Sequence, residues 1–200
     1  MTAVLGGWPR LIRYAPQLRV LPARVALFHL RARIAALRAG DEFSLASATR
    51  AADVAILLKL GKGRHRVVEL GTATAWTALS LVLDDPNRTV ITYDPIDRPE
   101  RDRYLRLVSR RDRDRVIFVT APGADGPRGT ELVDLLYIDS THDREGTIHE
   151  IRAWRPVLGP DAIVVLDDYA HPGFPGVREA VQELNLAGEQ RGTMFVHRIM

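Results

Sequence analysis

The chain has no cysteine. That excludes disulfides, thiolate zinc sites and a cysteine nucleophile, and it fits a reducing compartment. Lysine is scarce too: Lys59 and Lys62 are the only two among 28 basic residues, a compositional bias without a functional reading. Long apolar runs are also missing. The tight ones, such as Ala162 to Leu166, have the length of a strand and fall far short of a membrane span. The opening stretch "MTAVLGGWPRLIRY" lacks the apolar core of a signal peptide. A soluble, cytoplasmic protein without stable membrane insertion is expected. Acid is absent from residues 1–40, which hold seven arginines (Arg10, Arg13, Arg19, Arg24, Arg31, Arg33, Arg38). Subtracting those seven from the net +3 leaves the rest of the chain at −4. The high isoelectric point is therefore no nucleic-acid footprint, and no nucleic-acid partner is expected.

What is present is an ordinary globular composition, 46% apolar and 26% charged over 200 residues, enough for one buried core. A helical stripe (Leu27, Leu30, Ile34, Leu37) runs within Leu18 to Leu37, Gly40 ends it, and a second helix is expected within Ser44 to Leu60. An alternation then begins. Strands are expected at Arg66–Leu70, Thr89–Asp94, Val116–Thr120, Asp134–Asp139 and Ala162–Asp168, with a closing strand at Thr193–Ile199. Helices are expected near Ala75–Leu83, Glu100–Arg110, Glu145–Val157 and Gly176–Leu184. The pattern predicts an α/β fold: a Rossmann-like, doubly wound, mostly parallel sheet with an extra N-terminal helical segment. In such sheets the ligand sits beyond the carboxyl ends of the strands. Four of the five alternating strands end in acid there: Glu69, Asp94, Asp139 and Asp167–Asp168.

The first strand and its loop, "VVELGTATAW" (Val67 to Trp76), narrow the ligand. A dinucleotide loop needs further glycines after Gly71, but those positions are Ala73 and Trp76. Glu69 would oppose a pyrophosphate, and no P-loop motif is present. A ligand with a cationic amine, a carboxylate and a ribose but no phosphate fits better, and S-adenosylmethionine is that ligand. Glu69 suits its positive charges, Thr77 and the helix N–H groups its carboxylate, and Asp94 the ribose hydroxyls.

These residues resemble the class I S-adenosylmethionine-dependent methyltransferases. "ELGTATAWTALSL" looks like their first motif, and the segment from Tyr137 to Val181 resembles a bacterial small-molecule O-methyltransferase group related to the catechol and caffeoyl-type enzymes. The resemblance runs from about Arg50 to the end. The N-terminal forty residues are outside it; their helical stripe and arginines lead to an expected helical cap over residues 1–45, before a cofactor-binding methyltransferase domain over 46–200. The resemblance implies cofactor contacts from Glu69, Gly71, Thr72, Thr77, Asp94 and Asp139. The chain departs from the family at Ala75, where glycine is usual, and in "APGADGPRG" (Ala121 to Gly129), where Asp125 is the substitute for the usual adenine-lining segment.

Methyl transfer needs the acceptor positioned and deprotonated, by a divalent ion or by a side-chain base. Asp139, Asp167 and Asp168 match the metal ligands of the catechol-type enzymes. Oxygen ligands favour Mg²⁺. His142, three residues after Asp139, is the candidate base, and His171 a weaker substrate contact. The plainer alternative is that Asp139 and its neighbours cap a helix and Asp167–Asp168 start a turn. The other histidines (His29, His65, His149, His197) are expected to be structural or exposed. The expected acceptor is a small-molecule hydroxyl on a natural product, a sugar or a catechol-like ring. Competing readings are a different metal-dependent activity on the same fold, or a non-catalytic scaffold. The arginine-rich N-terminus is expected to pack over the acidic edge or to form part of a homodimer.

Overall fold

The structure, a computed structural model, describes residues 8–199. Residues 1–7 of the expected N-terminal cap lie outside the described residues. The chain opens with helix α1 (Trp8–Tyr14), a 3-10 turn (Ala15–Val20) and helices α2 (Ala23–Ala39), α3 (Glu42–Ser47) and α4 (Ala51–Leu60). The single helix expected from Leu18 is interrupted at Pro22, whose extended backbone (ψ 147°) restarts the chain as α2. The buried face of α2 is Val25, Phe28, His29, Ala32 and Ala36, while Leu27 of the expected stripe is 55% exposed. That face packs on α5 (Trp76–Asp84), with Phe28 and His29 edge-on to the Trp76 ring. Gly40 does end α2, in the left-handed region at φ 64°.

The stretch Ser44–Leu60, expected to contain a helix, holds the end of α3 and the whole of α4, which stops before Gly61. Asp41 caps α3 by accepting from the Ser44 N–H, and Ala48 and Arg50 adopt extended backbone before α4 starts. The expected helix over Glu100–Arg110 is split into α6 (Arg101–Leu105) and α7 (Arg110–Arg113), the latter capped by Ser109.

The sheet follows the expected alternation: β1 (Arg66–Leu70), β2 (Thr89–Asp94), β3 (Val116–Thr120), β4 (Val133–Ile138) and β5 (Leu158–Leu166). Its order is β3-β2-β1-β4-β5-β7-β6. The first five strands are parallel, and β7 (Met194–Arg198) runs antiparallel to β5. Edge strand β6 (Gly188–Arg191) was not expected; "GEQR" is exposed throughout and carries no apolar alternation. Alternate strand residues face two cores. Val67, Leu135, Ile163 and Val165 pack with α2, α4 and α5, whereas Val68, Leu136, Val164 and Leu166 pack with α8 (Arg144–Trp154) and α9 (Pro175–Glu183). The helical N-terminus thus shares a core with the sheet, through Val25 and Phe28. The order reverses at β1 and β4, which opens a crevice at their carboxyl ends.

Candidate active site

A cavity of about 670 Å³ occupies that crevice. One half is bounded by Gly71, Ala73, Asp94, Gly123 and Glu150; the other by Arg50, Asp167, Asp168, His171 and Phe174, with Asp139 and His142 also in the wall. The extended segment between α3 and α4 roofs it, with residues 46–50 all in the wall. That is the consequence of the break between the two helices there.

Gly71 sits at φ 99°, and a Cβ there would lie 1.9 Å from the Asp139 carbonyl oxygen. Only glycine fits where β1 and β4 diverge so little. Ala73 and Ala75 take left-handed backbone without being glycines (φ 44° and 69°). The loop therefore keeps a glycine-like path with alanines in it, at a cost of roughly 1–2 kcal/mol per residue. It is held in place by its neighbours: the Ala73 N–H donates to Asp94 Oδ2 at 2.8 Å, and Arg101 donates to the Ala73 carbonyl at 3.1 Å. Asp94 Oδ1 accepts from the Ile96 N–H at 2.8 Å.

Of the six residues expected to contact a cofactor, Gly71, Asp94 and Asp139 reach the cavity wall and Glu69, Thr72 and Thr77 do not. Glu69 stands behind the wall, under the loop. It is 1% exposed beneath the loop, accepting from the Thr92 hydroxyl at 2.5 Å, and Thr72 and Thr92 hydroxyls meet at 2.6 Å. Burial, opposed by the Thr92 hydrogen bond, pushes the Glu69 pKa up to about 8. Glu69 thereby buttresses the loop from below through Thr92. Thr77 is turned to the Thr49 hydroxyl at 2.9 Å, and Thr49 takes its place in the wall. Asp125 is also outside the wall, where its neighbours Gly123 and Ala124 stand.

At the other half, His142 Nε2 lies 3.1 Å from Asp139 Oδ1 and 3.4 Å from Asp168 Oδ2. His142 and Asp168 both occupy the left-handed region (φ 56° and 54°), and these two backbone turns aim the side chains at each other. Among the described residues, Asp139, His142 and Asp168 offer ligand atoms within 4.8 Å of one another. His142 joins Asp139 and Asp168 in that cluster, and Asp167, the third expected ligand, stands beside it in the cavity wall. Asp167 is held back because its Oδ2 accepts from the Tyr137 hydroxyl at 2.9 Å, a hydroxyl also 3.2 Å from Asp139 Oδ2. Its Oδ1 is buried with no hydrogen-bond partner. His171 accepts from the Gly173 N–H at 3.1 Å and packs on Phe174, whose ring also stacks on His142 at 4.7 Å.

A protein-family profile described as "Methyltransferase domain" matches residues 68–169, just over half of the chain, spanning both halves of this site. The chain belongs to that methyltransferase family. The fold is shared with solved methyltransferases of low identity. An O-methyltransferase from Bacillus cereus in complex with SAH is 15% identical over 82% of this chain and 87% of that one, with a TM-score of 0.65. The O-methyltransferase TomG from Streptomyces achromogenes, involved in tomaymycin synthesis and bound to SAM, is 19% identical over 84% and 88%, with a TM-score of 0.61. Cofactor-bound Rv0187 from MTB is 22% identical over 82% and 88%, with a TM-score of 0.62. Comparison with curated protein sequences returns no match.

The electrostatics of this methyltransferase separate the two halves of the cavity. Burial of His142 disfavours its charge, but the Asp139 hydrogen bond and the Asp139, Asp168 and Asp167 charges outweigh it and raise its pKa. Burial and the nearby Asp139 charge push Asp167 up to about 7, and burial likewise raises Asp139. Such an edge welcomes a cation. In the other half, Glu150 is buried, accepts from the Ser140 hydroxyl at 2.6 Å and is pushed up to about 6 by that burial. Glu150 escaped sequence reasoning because a glutamate on an amphipathic helix carries no signal for the face it occupies. Arg98, stacked 3.9 Å over Phe43 in the cavity wall, was missed because it stands in the loop after β2, where no periodicity marks a direction. Among the described residues no helix is long and apolar enough to cross a membrane.

Proposed function

We propose that this methyltransferase transfers a methyl group from S-adenosylmethionine to a hydroxyl of a small molecule, with a divalent ion at the carboxylate edge. The observation that carries the reading is a single cavity with the Gly71–Asp94 loop in one half and the Asp139–His142–Asp168 cluster in the other. When bound, the cofactor supplies the methyl electrophile and the ion lowers the pKa of the acceptor hydroxyl. Asp94 accepts from the ribose hydroxyls, using the carboxylate lone pairs that Ala73 and Ile96 leave free. The close approach at Gly71 lets backbone line the cofactor without a side chain intervening. The residues present fit an oxygen-loving ion such as Mg²⁺: Asp139 and Asp168 converge, and Asp167 Oδ1 is a buried acceptor in need of a partner. His142 takes the acceptor's proton on its imidazole, oriented by Asp139.

A second reading has a specific observation behind it. His142 Nε2 points at the carboxylates, so the imidazole is itself placed to be a ligand. The two roles exclude one another at one nitrogen. His142→Ala distinguishes them. A base gives unchanged Mg²⁺ affinity and a kcat roughly 10²–10⁴-fold lower; a ligand gives weakened Mg²⁺ affinity. The cofactor part is tested by calorimetry. S-adenosylhomocysteine is expected to bind and NAD is not, and Asp94→Ala is expected to cost about 1.5–3 kcal/mol of that binding. NAD binding without S-adenosylhomocysteine heat would overturn the reading.

A further inference from the structure

Arg50, in the cavity wall beside the carboxylate edge, is a charged side chain with no task in the scheme above. Arg50 stands at the N-cap of α4 with its side chain 62% exposed. Its Nε and Nη2 both reach Asp53 Oδ2 at 2.7 Å. Asp53 is buried and is held from behind by the Thr193 N–H at 3.2 Å and the Thr193 hydroxyl at 3.0 Å. The space there is tight: a Cβ on Gly192 would lie 2.1 Å from Asp53 Oδ1. The guanidinium is thus clamped along one edge, and its Nη1 has no hydrogen-bond partner among the described residues.

The pair with buried Asp53 accounts for the fixed edge, since a buried carboxylate is stabilised by a facing cation. It leaves the outer edge, in the cavity wall, without a role, and an arginine with one edge fixed presents the rest of its fork ready for a carboxylate. Position then says which ligand brings the anion. The Thr193 carbonyl accepts from the Ala170 N–H at 2.9 Å, which ties Asp53 and Arg50 to the loop that carries Asp168 and His171. Thr49, next in sequence, lies 3.4 Å from the Tyr137 hydroxyl, which contacts both Asp139 and Asp167. Arg50 therefore borders the reacting half of the cavity.

We propose that Arg50 reads a carboxylate on the methyl acceptor, so that acceptors are hydroxylated molecules bearing a negative charge away from the hydroxyl that is methylated. The inference rests on the methyltransferase reading above. The acid edge repels a carboxylate while Arg50, at the border of the same half, attracts it, so the two together sort the acceptor's orientation. Arg50 is then a specificity-determining residue, and it leaves the transfer chemistry to the edge.

The experiment uses the protein saturated with S-adenosylhomocysteine in Mg²⁺ buffer, with benzoate and benzyl alcohol as a matched pair of probes in calorimetry. Benzoate is expected to bind about tenfold or more tightly than benzyl alcohol, and Arg50→Gln to remove that preference. Arg50→Lys, which keeps the charge and loses the fork, is expected to fall between them and carries the test if Arg50→Gln does not fold by thermal melting. Equal benzoate binding by wild type and both variants overturns the proposal, as does no preference for benzoate. A variant that loses S-adenosylhomocysteine yet keeps 5′-methylthioadenosine, which lacks the amino-acid carboxylate, also overturns it, since Arg50 would then serve the cofactor. Wild-type protein that binds no S-adenosylhomocysteine at all would instead overturn the cofactor reading.

Discussion

Two buried polar clusters divide this molecule. Between the N-terminal helices and α5 and α6, the Tyr14 hydroxyl meets His29 Nδ1 at 3.0 Å and His29 Nε2 meets the Ser80 hydroxyl at 2.9 Å. Nearby, Asp41 accepts from the Ser44 N–H and hydroxyl, from Arg103 at 2.8 Å and from the Tyr104 hydroxyl at 2.6 Å. Its one carboxylate accepts four hydrogen bonds and faces a cation, while Trp76 Nε1 and Arg33 Nε, packed against His29 and Tyr14, are buried without a partner. At the strand edge, by contrast, Asp139, Asp167 and Asp168 crowd one another, Asp167 Oδ1 is unpartnered, and His142 and Asp168 hold left-handed backbone. Each left-handed non-glycine costs about 1–3 kcal/mol and persists only where the surroundings impose it. The first cluster resembles what folding selects. The second is destabilised in the absence of a ligand, which is the signature of a site.

The comparison breaks most visibly at Asp41. Burial opposes its charge, yet the Tyr104, Ser44 and Arg103 hydrogen bonds outweigh that and hold its pKa low. Asp41→Ala leaves those donors stranded and is expected to cost about 3–4 kcal/mol in urea unfolding. That is the lower part of the range for a broken buried network, because Arg103 is 35% exposed and can rehydrate. A loss below 1 kcal/mol would deny this cluster its structural role.

The pH dependence sharpens the contrast, because the two clusters act with opposite sign. Burial, with Arg33 adding to it, lowers the His29 pKa to about 4. The unfolded chain binds that proton more readily, so stability is full above pH 6.5 and falls by up to about 3 kcal/mol as pH drops to 4. His29→Gln is expected to flatten that limb of a stability–pH curve measured by denaturation. At the edge, Asp167 is raised to about 7 and Glu69 to about 8, both chiefly by burial. Their contribution is full below pH 4 and is lost as pH rises through 7 and 8. In chelator, the wild-type curve is therefore expected to decline toward pH 8, and Mg²⁺ to raise the melting temperature more at pH 8 than at pH 5.

The smallest effect is expected at Asp167→Asn. The amide oxygen still accepts from Tyr137 while the like charge is gone. In chelator at pH 8, stability is expected to rise by about 1 kcal/mol, while the Mg²⁺ stabilisation shrinks. A variant destabilised by several kcal/mol, measured the same way, would place Asp167 with the structural cluster.

Much of the fold was legible before any coordinates. The alternation of apolar strands with helices requires a two-faced parallel sheet, and Gly71, Asp94, Asp139, Asp167 and Asp168 fall at its ligand edge because strand ends are marked by where apolar runs stop. Side-chain direction was not legible. Glu69 lies two residues before the loop and reads as a ligand contact, but the pleat turns it under Thr92. Leu27 reads as core on periodicity, but α2 turns the face carrying Val25, Phe28, His29, Ala32 and Ala36 to α5 instead. Local sequence determined the sheet, its polarity and the residues gathered at its edge, since these follow from period and chain reversal. Only tertiary structure decided that Asp168 meets His142 while Asp167 meets Tyr137, and that Arg50 enters the wall clamped by Asp53 and Thr193, 140 residues away from Asp53. Those choices depend on backbone twists and long-range packing, which no stretch of sequence encodes by itself.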